Sequence, residues 1–434
     1  MKTLPEKRAN FNPKIHISHT GGELSTDAGL ILIKELMVKL GFSQLVDQLV
    51  TFDDQRHYYR HANFQLLEQV ILQLIADYAA DLAAKNLRHD PIFKLLLGQP
   101  QLASQPSLSR FWQRFDEQTL TSLQTVNQAL LDQVQLRTNQ TELVIDLDST
   151  HADTYGNQEQ TAFNAHYGTR GYHPLVAFDG QTGHFLKAQL RPGNVYTSTE
   201  IKPFLTPLLK HYQHTLPCQE IMVRADSGFA TPELYTTCEA YQTHYLVRLK
   251  TNRQLAHLAE SFIQIGDDQP WSETEIHYHT TTYQAGSWDH SRKIFIKSTR
   301  LAGELRFQHE YLVTNFTELG AETAFAAYHQ RGKMENYLKE AKTGFYFDKT
   351  DSSSFIANHA RMILSLLAYN LVSFLKQLLP AAQAGLSVGT LRLWLFKIAG
   401  KVVHSGRKIQ LKLSYHHVYR NLFYQLLARI QALS

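Results

Sequence analysis

Apolar positions recur at two different periods along this chain, and the change of period divides it. Leu30, Ile33, Leu36 and Leu40 follow helical spacing, and residues 64–84 continue it, so the first 140 residues read as helix-rich. Asp27 stands where a cap for the first of these helices belongs, and a short strand and turn over 15–22 precede it. Shorter helices are expected at 91–97 and 107–115. The latter opens on Ser107-Leu108-Ser109-Arg110, hydroxyls that suit a cap and a cation that suits a DNA phosphate, although capping alone explains the serines. From Thr141 the texture turns to strands. Residues 143–148 form one, with others near 174–179, 184–190, 221–225 and 244–250 and helices near 199–212 and 232–241 between them, which indicates a mixed α/β sheet. Residues 252–317 are β-like again, alternating over 273–283, 292–299 and 304–315. Two long helices, 321–343 and 352–379, follow. Near the C-terminus, 401–404 and 408–413 flank Ser405-Gly406 as a hairpin, with Ile409, Leu411 and Leu413 alternating with Lys408, Gln410 and Lys412.

The 434 residues are 43% hydrophobic and 19% charged, enough to bury a large core in two or three domains and too apolar for a disordered chain. The net charge of +4 permits a polyanionic partner without demanding one. Its distribution says more. From Leu391 onward there are eight Lys or Arg and no Asp or Glu, and the first fifteen residues carry Lys2, Lys7, Arg8 and Lys14 against Glu6. Basic ends suit a nucleic-acid-binding protein and equally suit two solvated surfaces. Two cysteines, Cys218 and Cys238, exclude a disulfide framework and match no zinc motif, which points to a reducing compartment. The polar opening is unlike a secretory signal, and the most apolar stretch, 362–375, is short for a membrane span and contains Ser365, Asn370 and Ser373. A soluble cytoplasmic protein with no membrane partner is expected. No GxxxxGK[ST] loop is present, so no nucleotide cofactor is expected. His57 and His61 have zinc-compatible spacing but lack a third ligand, and read as ordinary histidines.

Three acidic residues have settings that fit chemistry. Asp148 ends a strand before Ser149-Thr150, and Asp226 ends another in Val223-Arg224-Ala225-Asp226-Ser227-Gly228, where α/β sheets place their ligands. Asp146 lies on the same strand face as Asp148. The third is on a helix. On a continuous helix Tyr328, Arg331, Glu335 and Lys342 fall in one stripe, although Glu335 could instead pair with Arg331 as a solvated salt bridge. Three carboxylates can hold two Mg2+ ions about 4 Å apart, one activating a nucleophile and one stabilising the leaving oxygen of a phosphodiester. Arg331 and Lys342 would neutralise phosphate oxygens beside them.

The order Asp148, Asp226, Glu335 resembles the catalytic triad of DDE transposases from bacterial insertion sequences, and Tyr328-x2-Arg331-x3-Glu335-x6-Lys342 matches their Y-(2)-R-(3)-E-(6)-K signature. Five further segments resemble the subgroup known as transposase DDE domain group 1. They are Leu87-Arg88-His89-Asp90-Pro91-x-Phe93-Lys94, Pro106-Ser107-Leu108-Ser109-Arg110-Phe111, Ile145-Asp146-Leu147-Asp148-Ser149-Thr150, His166-Tyr167-Gly168-x2-Gly171-Tyr172-x-Pro174-Leu175 and Leu190-Arg191-Pro192-Gly193-Asn194.

The resemblance covers nearly the whole chain and implies an α/β, multi-domain α+β protein. A helical DNA-binding region over 1–140 would precede an RNase H-like mixed-sheet core over 141–251. A β-rich insertion over 252–317 would interrupt that core, which resumes over 318–380, and a basic region over 381–434 would end the chain. It implies Asp148, Asp226 and Glu335 as catalytic metal ligands, with Asp146 the alternative for the first and Glu340 a weak rival of the last. Mg2+ would be the cofactor, with Mn2+ able to substitute. The partners implied are the element's terminal inverted repeats and target DNA, bound by a homodimer or larger synaptic complex at the bacterial nucleoid. Tyr328, Arg331, Lys342, Arg110, Arg191, Lys408 and Lys412 are expected at the DNA. Tyr167 and Tyr172 either line the DNA path or hold turns. Trp271 and Trp288 either stack on a flipped base or, more in keeping with their setting, pack the insertion. The competing functions are a metal-dependent nuclease without strand transfer and an inactive sequence-specific DNA-binding protein.

Overall fold

The computed structural model describes residues 7–138, 140–215, 220–263 and 272–433, and they gather into two units. One comprises Asn127–Lys342 and Phe347–Ile363, the other Met1–Val126, Thr343–Tyr346 and Leu364–Ser434.

The first of these is built on an eight-stranded mixed sheet. Its strands are β1 Glu142–Ser149, β2 Leu175–Asp179, β3 Phe185–Gln189, β4 Glu220–Ala225, β5 His244–Leu249, β6 Glu275–Tyr283, β7 Arg292–Arg300 and β8 Gln308–Thr314. They lie in the order β6-β7-β8-β5-β4-β1-β2-β3. Only β1, β4 and β5 run parallel to one another, and every other neighbour is antiparallel. The parallel trio is the part joined by helical crossovers, Ile201–Thr215 and Pro232–Ala240, as parallel pairing requires. Its strands are mainly apolar because both faces are covered: Leu143, Ile145, Leu147, Val223, Ala225, Tyr245, Leu246 and Val247 are fully buried.

Residues 252–317 open with a helix that alternation does not show, Arg253–Ser261, capped by the Asn252 side chain on Leu255 N. Their three strands then continue the same sheet, β8 pairing with β5. The helix expected over 321–343 is two helices, Ala321–His329 and Gly332–Phe345. The break at Gln330 and Arg331 is closed by tight bonds from Arg331 N, Lys333 N and Met334 N to carbonyls three residues back. Gly332 makes the break inexpensive. The first helix lays Ala324, Phe325 and Tyr328 on Leu246, Phe295 and Leu312 of the sheet.

In the other unit, the helix expected over 64–84 stops at Ile75. Asp77 adopts φ 76°, a left-handed turn that Asp tolerates, and a short helix, Ala83–Leu87, follows. Asp27 caps nothing. Buried at 1% exposure, it accepts from Lys397 Nζ at 2.6 Å and Tyr78 Oη at 2.9 Å. Leu24–Ser25 pairs with Gly400–Ser405, which pairs in turn with Lys408–Leu413, so the two ends of the chain share a sheet. Gly29 is required there, because a Cβ would collide with the Leu395 carbonyl. Arg392 donates to the Leu74 and Ile75 carbonyls at 2.9 and 2.8 Å, satisfying the C-terminal end of Asn63–Ile75. Among the described residues one helix, Phe355–Gln377, is long and apolar enough to cross a membrane, and 89% of its most apolar window is buried, which fits a core helix.

Candidate active site

β1 and β4 are adjacent and parallel, with Arg224 registered opposite Asp146. Two residues further, at the C-terminal ends of the pair, come Asp148 and Asp226. Adjacent strands are about 4.8 Å apart, so the sheet itself sets these carboxylates side by side. Asp226 steps off β4 into a short 3-10 turn, where its Oδ1 accepts from Gly228 N at 2.9 Å. Asp148 remains in β1 and its Oδ1 accepts from Ser149 N at 2.8 Å.

Arg331 approaches from the break between the two helices. Its Nη2 donates to the Leu147 carbonyl at 2.9 Å and lies 3.5 Å from Asp148 Oδ1, while its Nε is buried without a hydrogen-bond partner among the described residues. Glu335 follows on the first turn of Gly332–Phe345. It is exposed and makes no ion pair among the described residues, so the alternative pairing with Arg331 does not form. Burial pushes the Asp148 carboxyl up to about 6. Arg331 opposes that rise, and the negative charges of Asp226 and Glu335 add to it. Asp226 and Glu335 therefore both act through space on Asp148. Among the described residues, however, no three acidic, imidazole or thiol groups stand close enough together to enclose an ion.

Asp146 is engaged differently. It is fully buried, and both its oxygens are held by Arg224 at 2.7 Å. Gly180 lies so close to this pair that a Cβ would strike both side chains. Of the two candidates for the first ligand, Asp148 has the freer carboxylate.

Tyr328 is buried at the helix–sheet contact, where burial raises its phenol and the Arg331 charge opposes the rise. Lys342 donates to the His151 carbonyl at 2.8 Å and stands 3.6 Å from Asp348. Tyr167 belongs to the site more closely than its sequence indicates. Asn164 Oδ1 accepts from His166 N and Tyr167 N at 3.0 and 3.3 Å, and Gly168 turns at φ 70°. This turn stacks the Tyr167 ring on His151 at 4.8 Å. Its phenol is raised by burial and then by Asp148 and Asp226. No sequence signal ties the loop to the carboxylates, because only tertiary pairing brings them together.

Other residues expected at the DNA lie elsewhere. Arg191 is a correction. At 1% exposure it is sealed in the fold, donating from Nε to the His173 carbonyl at 3.0 Å and from Nη1 to Thr197 and Thr199 carbonyls at 3.1 and 2.6 Å, so it cannot meet a phosphate at the surface. Tyr172 is buried and donates to the Glu159 carbonyl at 2.7 Å, a turn-holding role. Trp288 is 6% exposed and packs edge-on against Tyr235 and Tyr283 with Arg292 over its ring, leaving no face for a base. Trp271 and Cys218 fall outside the described residues. His57 and His61 are not on a helix, and His61 is buried. Arg110, Lys408 and Lys412 are exposed in the other unit.

Among solved structures the chain is similar to the piggyBac transposase in a synaptic complex with hairpin DNA. Identity is 11%, coverage is 94% of this chain and 81% of that one, and the TM-score is 0.43. It is also similar to the Mos1 transposase in a paired-end complex with a left transposon end, at 15% identity over 45% of this chain and 61% of that one, with a TM-score of 0.18. No curated protein matches it. The family model for transposase DDE domain group 1 matches residues 7–434, and the chain belongs to that family.

Proposed function

We propose that the protein is a cut-and-paste DNA transposase that binds the terminal inverted repeats of an insertion sequence, cleaves there and transfers the freed strands to target DNA. Asp148, Asp226 and Glu335 are its metal ligands and catalytic residues. We read the sheet around β1 and β4 as an RNase H-like core, and residues 252–317, which lie between β5 and the Glu335 helix, as its β-rich insertion. The observation that carries the reading is the meeting of Asp148 and Asp226 at the ends of paired parallel strands, with Glu335 acting electrostatically on Asp148.

The donor set fits Mg2+, or Mn2+ in its place. All three donors are carboxylates, the type hard cations prefer, and the repulsion that Asp226 and Glu335 exert on Asp148 is of the kind a divalent charge cancels. Bound divalent ions supply an activated nucleophile and neutralise the leaving oxygen. The chain's own residues do the rest. Ser149 N and Gly228 N fix one oxygen of each aspartate. Arg331 holds the strand end through Leu147 O and sets its positive charge beside Asp148. Glu335, with no ion pair among the described residues, is free to complete the ligand set. Two element ends must be cut in concert, so a homodimer or larger synaptic assembly is the active form of this reading.

The test is incubation of an end-containing duplex with the protein and Mg2+. Asp226→Asn and Glu335→Gln should each abolish cleavage while DNA binding persists. Cleavage retained by either variant refutes the assignment. Nicked products without joined ones would mean a nuclease that lacks strand transfer.

A further inference from the structure

The unit that comprises Met1–Val126, Thr343–Tyr346 and Leu364–Ser434 carries a cluster of arginines that neither the carboxylate site nor the C-terminal hairpin uses. The loop Arg56-His57-Tyr58-Tyr59-Arg60-His61 is anchored at its base. Phe52 packs on Phe111 and Phe115 at 5.6 and 5.4 Å, and Asp53 N donates to the Arg114 carbonyl at 3.2 Å. Above this base the guanidinium groups converge in pairs on neutral oxygens. Arg56 and Arg114 both donate to Asn63 Oδ1, at 3.1 and 2.7 Å. Arg60 and Arg88 both reach the Gln101 amide oxygen, at 3.0 and 2.9 Å, in the amide orientation that satisfies both. Arg110 adds a fifth positive charge that acts on Arg114, whose ordinary value is lowered by burial and by its arginine neighbours. Among the described residues Asp54 is the one carboxylate paired with any of the five, held by Arg56 at 2.6 Å and 4.0 Å from Arg114. Guanidinium groups gathered with so little compensation are left to be neutralised by an anion from outside, and planar forks suit phosphate.

Tyr58 stands at the tip of this loop, 96% exposed, the most exposed large apolar side chain among the described residues, beside Tyr59 at 60%. Tyr59 is covered on one face by the Arg56 guanidinium at 5.1 Å. Tyr58 has no such cover among the described residues. A bare aromatic ring on an arginine-bearing loop matches a nucleic-acid strand with an accessible base face, because a base paired within a duplex offers no face to stack on.

We propose that residues 56–61, backed by Arg88, Arg110 and Arg114, are a DNA-binding surface that grips backbone phosphates and stacks Tyr58 on a base that has left the duplex. The ligand is DNA with an unpaired base, and the inference rests on the DNA-processing reading above. The experiment uses the full chain and two probes, a fully paired duplex of arbitrary sequence and the same duplex with one unpaired 2-aminopurine. Tyr58→Ala should weaken binding to the unpaired probe roughly tenfold, the range expected when a base–aromatic stack is removed, and leave the paired probe unchanged. Tyr58→Phe should bind both like the parent. The parent should quench 2-aminopurine fluorescence and Tyr58→Ala should not. Arg60→Ala with Arg88→Ala should weaken both probes and shallow the salt slope by roughly 0.9 for each phosphate no longer neutralised. Equal behaviour of Tyr58→Ala on the two probes, or an unchanged salt slope in the arginine variant, overturns the proposal while leaving the transposase reading intact. A parent protein that binds neither probe overturns both.

Discussion

Arg224 holds Asp146 through two hydrogen bonds of 2.7 Å, Nε to Oδ1 and Nη2 to Oδ2, and this relationship separates two carboxylates that stand on one strand face. A carboxylate with both oxygens engaged by a buried guanidinium is poorly placed to ligate a metal. Further along the same strand face, Asp148 meets its arginine only at 3.5 Å. Removing one partner of a buried ion pair leaves the other charge uncompensated and costs about 3–5 kcal/mol. Asp146→Ala should therefore lower the unfolding free energy by that amount, read as a lower urea midpoint at unchanged m. Asp148→Asn should melt at or above the parent temperature, because it removes the cost of burying a charged carboxylate, yet fail to cleave DNA. A destabilised Asp148→Asn alongside a stable Asp146→Ala would reverse the two roles.

Two buried histidines make the sheet-bearing unit acid-sensitive. Burial holds His184 down to about 3 and His359 down to about 4, the latter despite its hydrogen bond to the Ala188 backbone. Both lie below the usual imidazole value, so the unfolded chain binds more protons than the folded one once the pH falls below 6.5. Stability contributed by their neutral forms is complete above 6.5 and drains away as pH falls toward 4 for His359 and 3 for His184. Each should cost about 2 kcal/mol by about pH 5. Asp148, raised to about 6, works in the opposite sense, so His359→Gln is best compared with its parent, where the aspartate contribution cancels. The difference in urea midpoint between the two should shrink on acidification. A constant difference between pH 7 and 5 would show that His359 is not buried neutral.

What is legible in the sequence is whatever depends on near neighbours. The strands around 143–148, 221–225 and 244–250 announce themselves because an apolar run between turn residues fixes a buried strand locally. The resemblance names Asp148, Asp226 and Glu335 as a set, and the stripe that carries Glu335 presumes one straight helix from Tyr328 to Lys342. That helix breaks at Arg331, whose side chain is committed to Leu147 O. Register is invisible. Arg224 opposite Asp146 follows from strand pairing 78 residues apart in the chain, and without it the two aspartates look alike. Cations mislead for the same reason. Arg191, Arg392 and Lys397 look like surface charge until the carbonyls and carboxylate that bind them are known.

Arg191 gives that point a measurable form. Its guanidinium bonds three carbonyls around the chain that follows β3, and charge-assisted hydrogen bonds are worth about 1.5–3 kcal/mol each. Arg191→Met should therefore destabilise the protein by at least about 3 kcal/mol, since buried acceptors are left unmet. At a temperature where the variant remains folded, the salt slope of DNA binding should equal the parent's. A shallower slope with unchanged stability would return Arg191 to the DNA surface.

The C-terminal hairpin should show the reverse pattern. Lys401 and Lys412 are directly paired across it, and Lys408, opposite Ser405, projects from the same face. Both members of the lysine pair are exposed. Like charges set opposite each other weaken a hairpin, so this face carries a strain that a row of phosphates would relieve. Lys412→Gln should accordingly leave the free protein as stable as the parent or slightly more so. It should also weaken duplex binding and reduce the salt slope by about 0.9 if the lysine meets one phosphate. Lys408→Gln should change the slope likewise without the gain in stability, since its cross-strand neighbour is a neutral serine. Thermal melts without DNA and binding isotherms across a salt series separate the two effects. Unaltered slopes in both variants would mean the hairpin face is solvated and the DNA passes elsewhere.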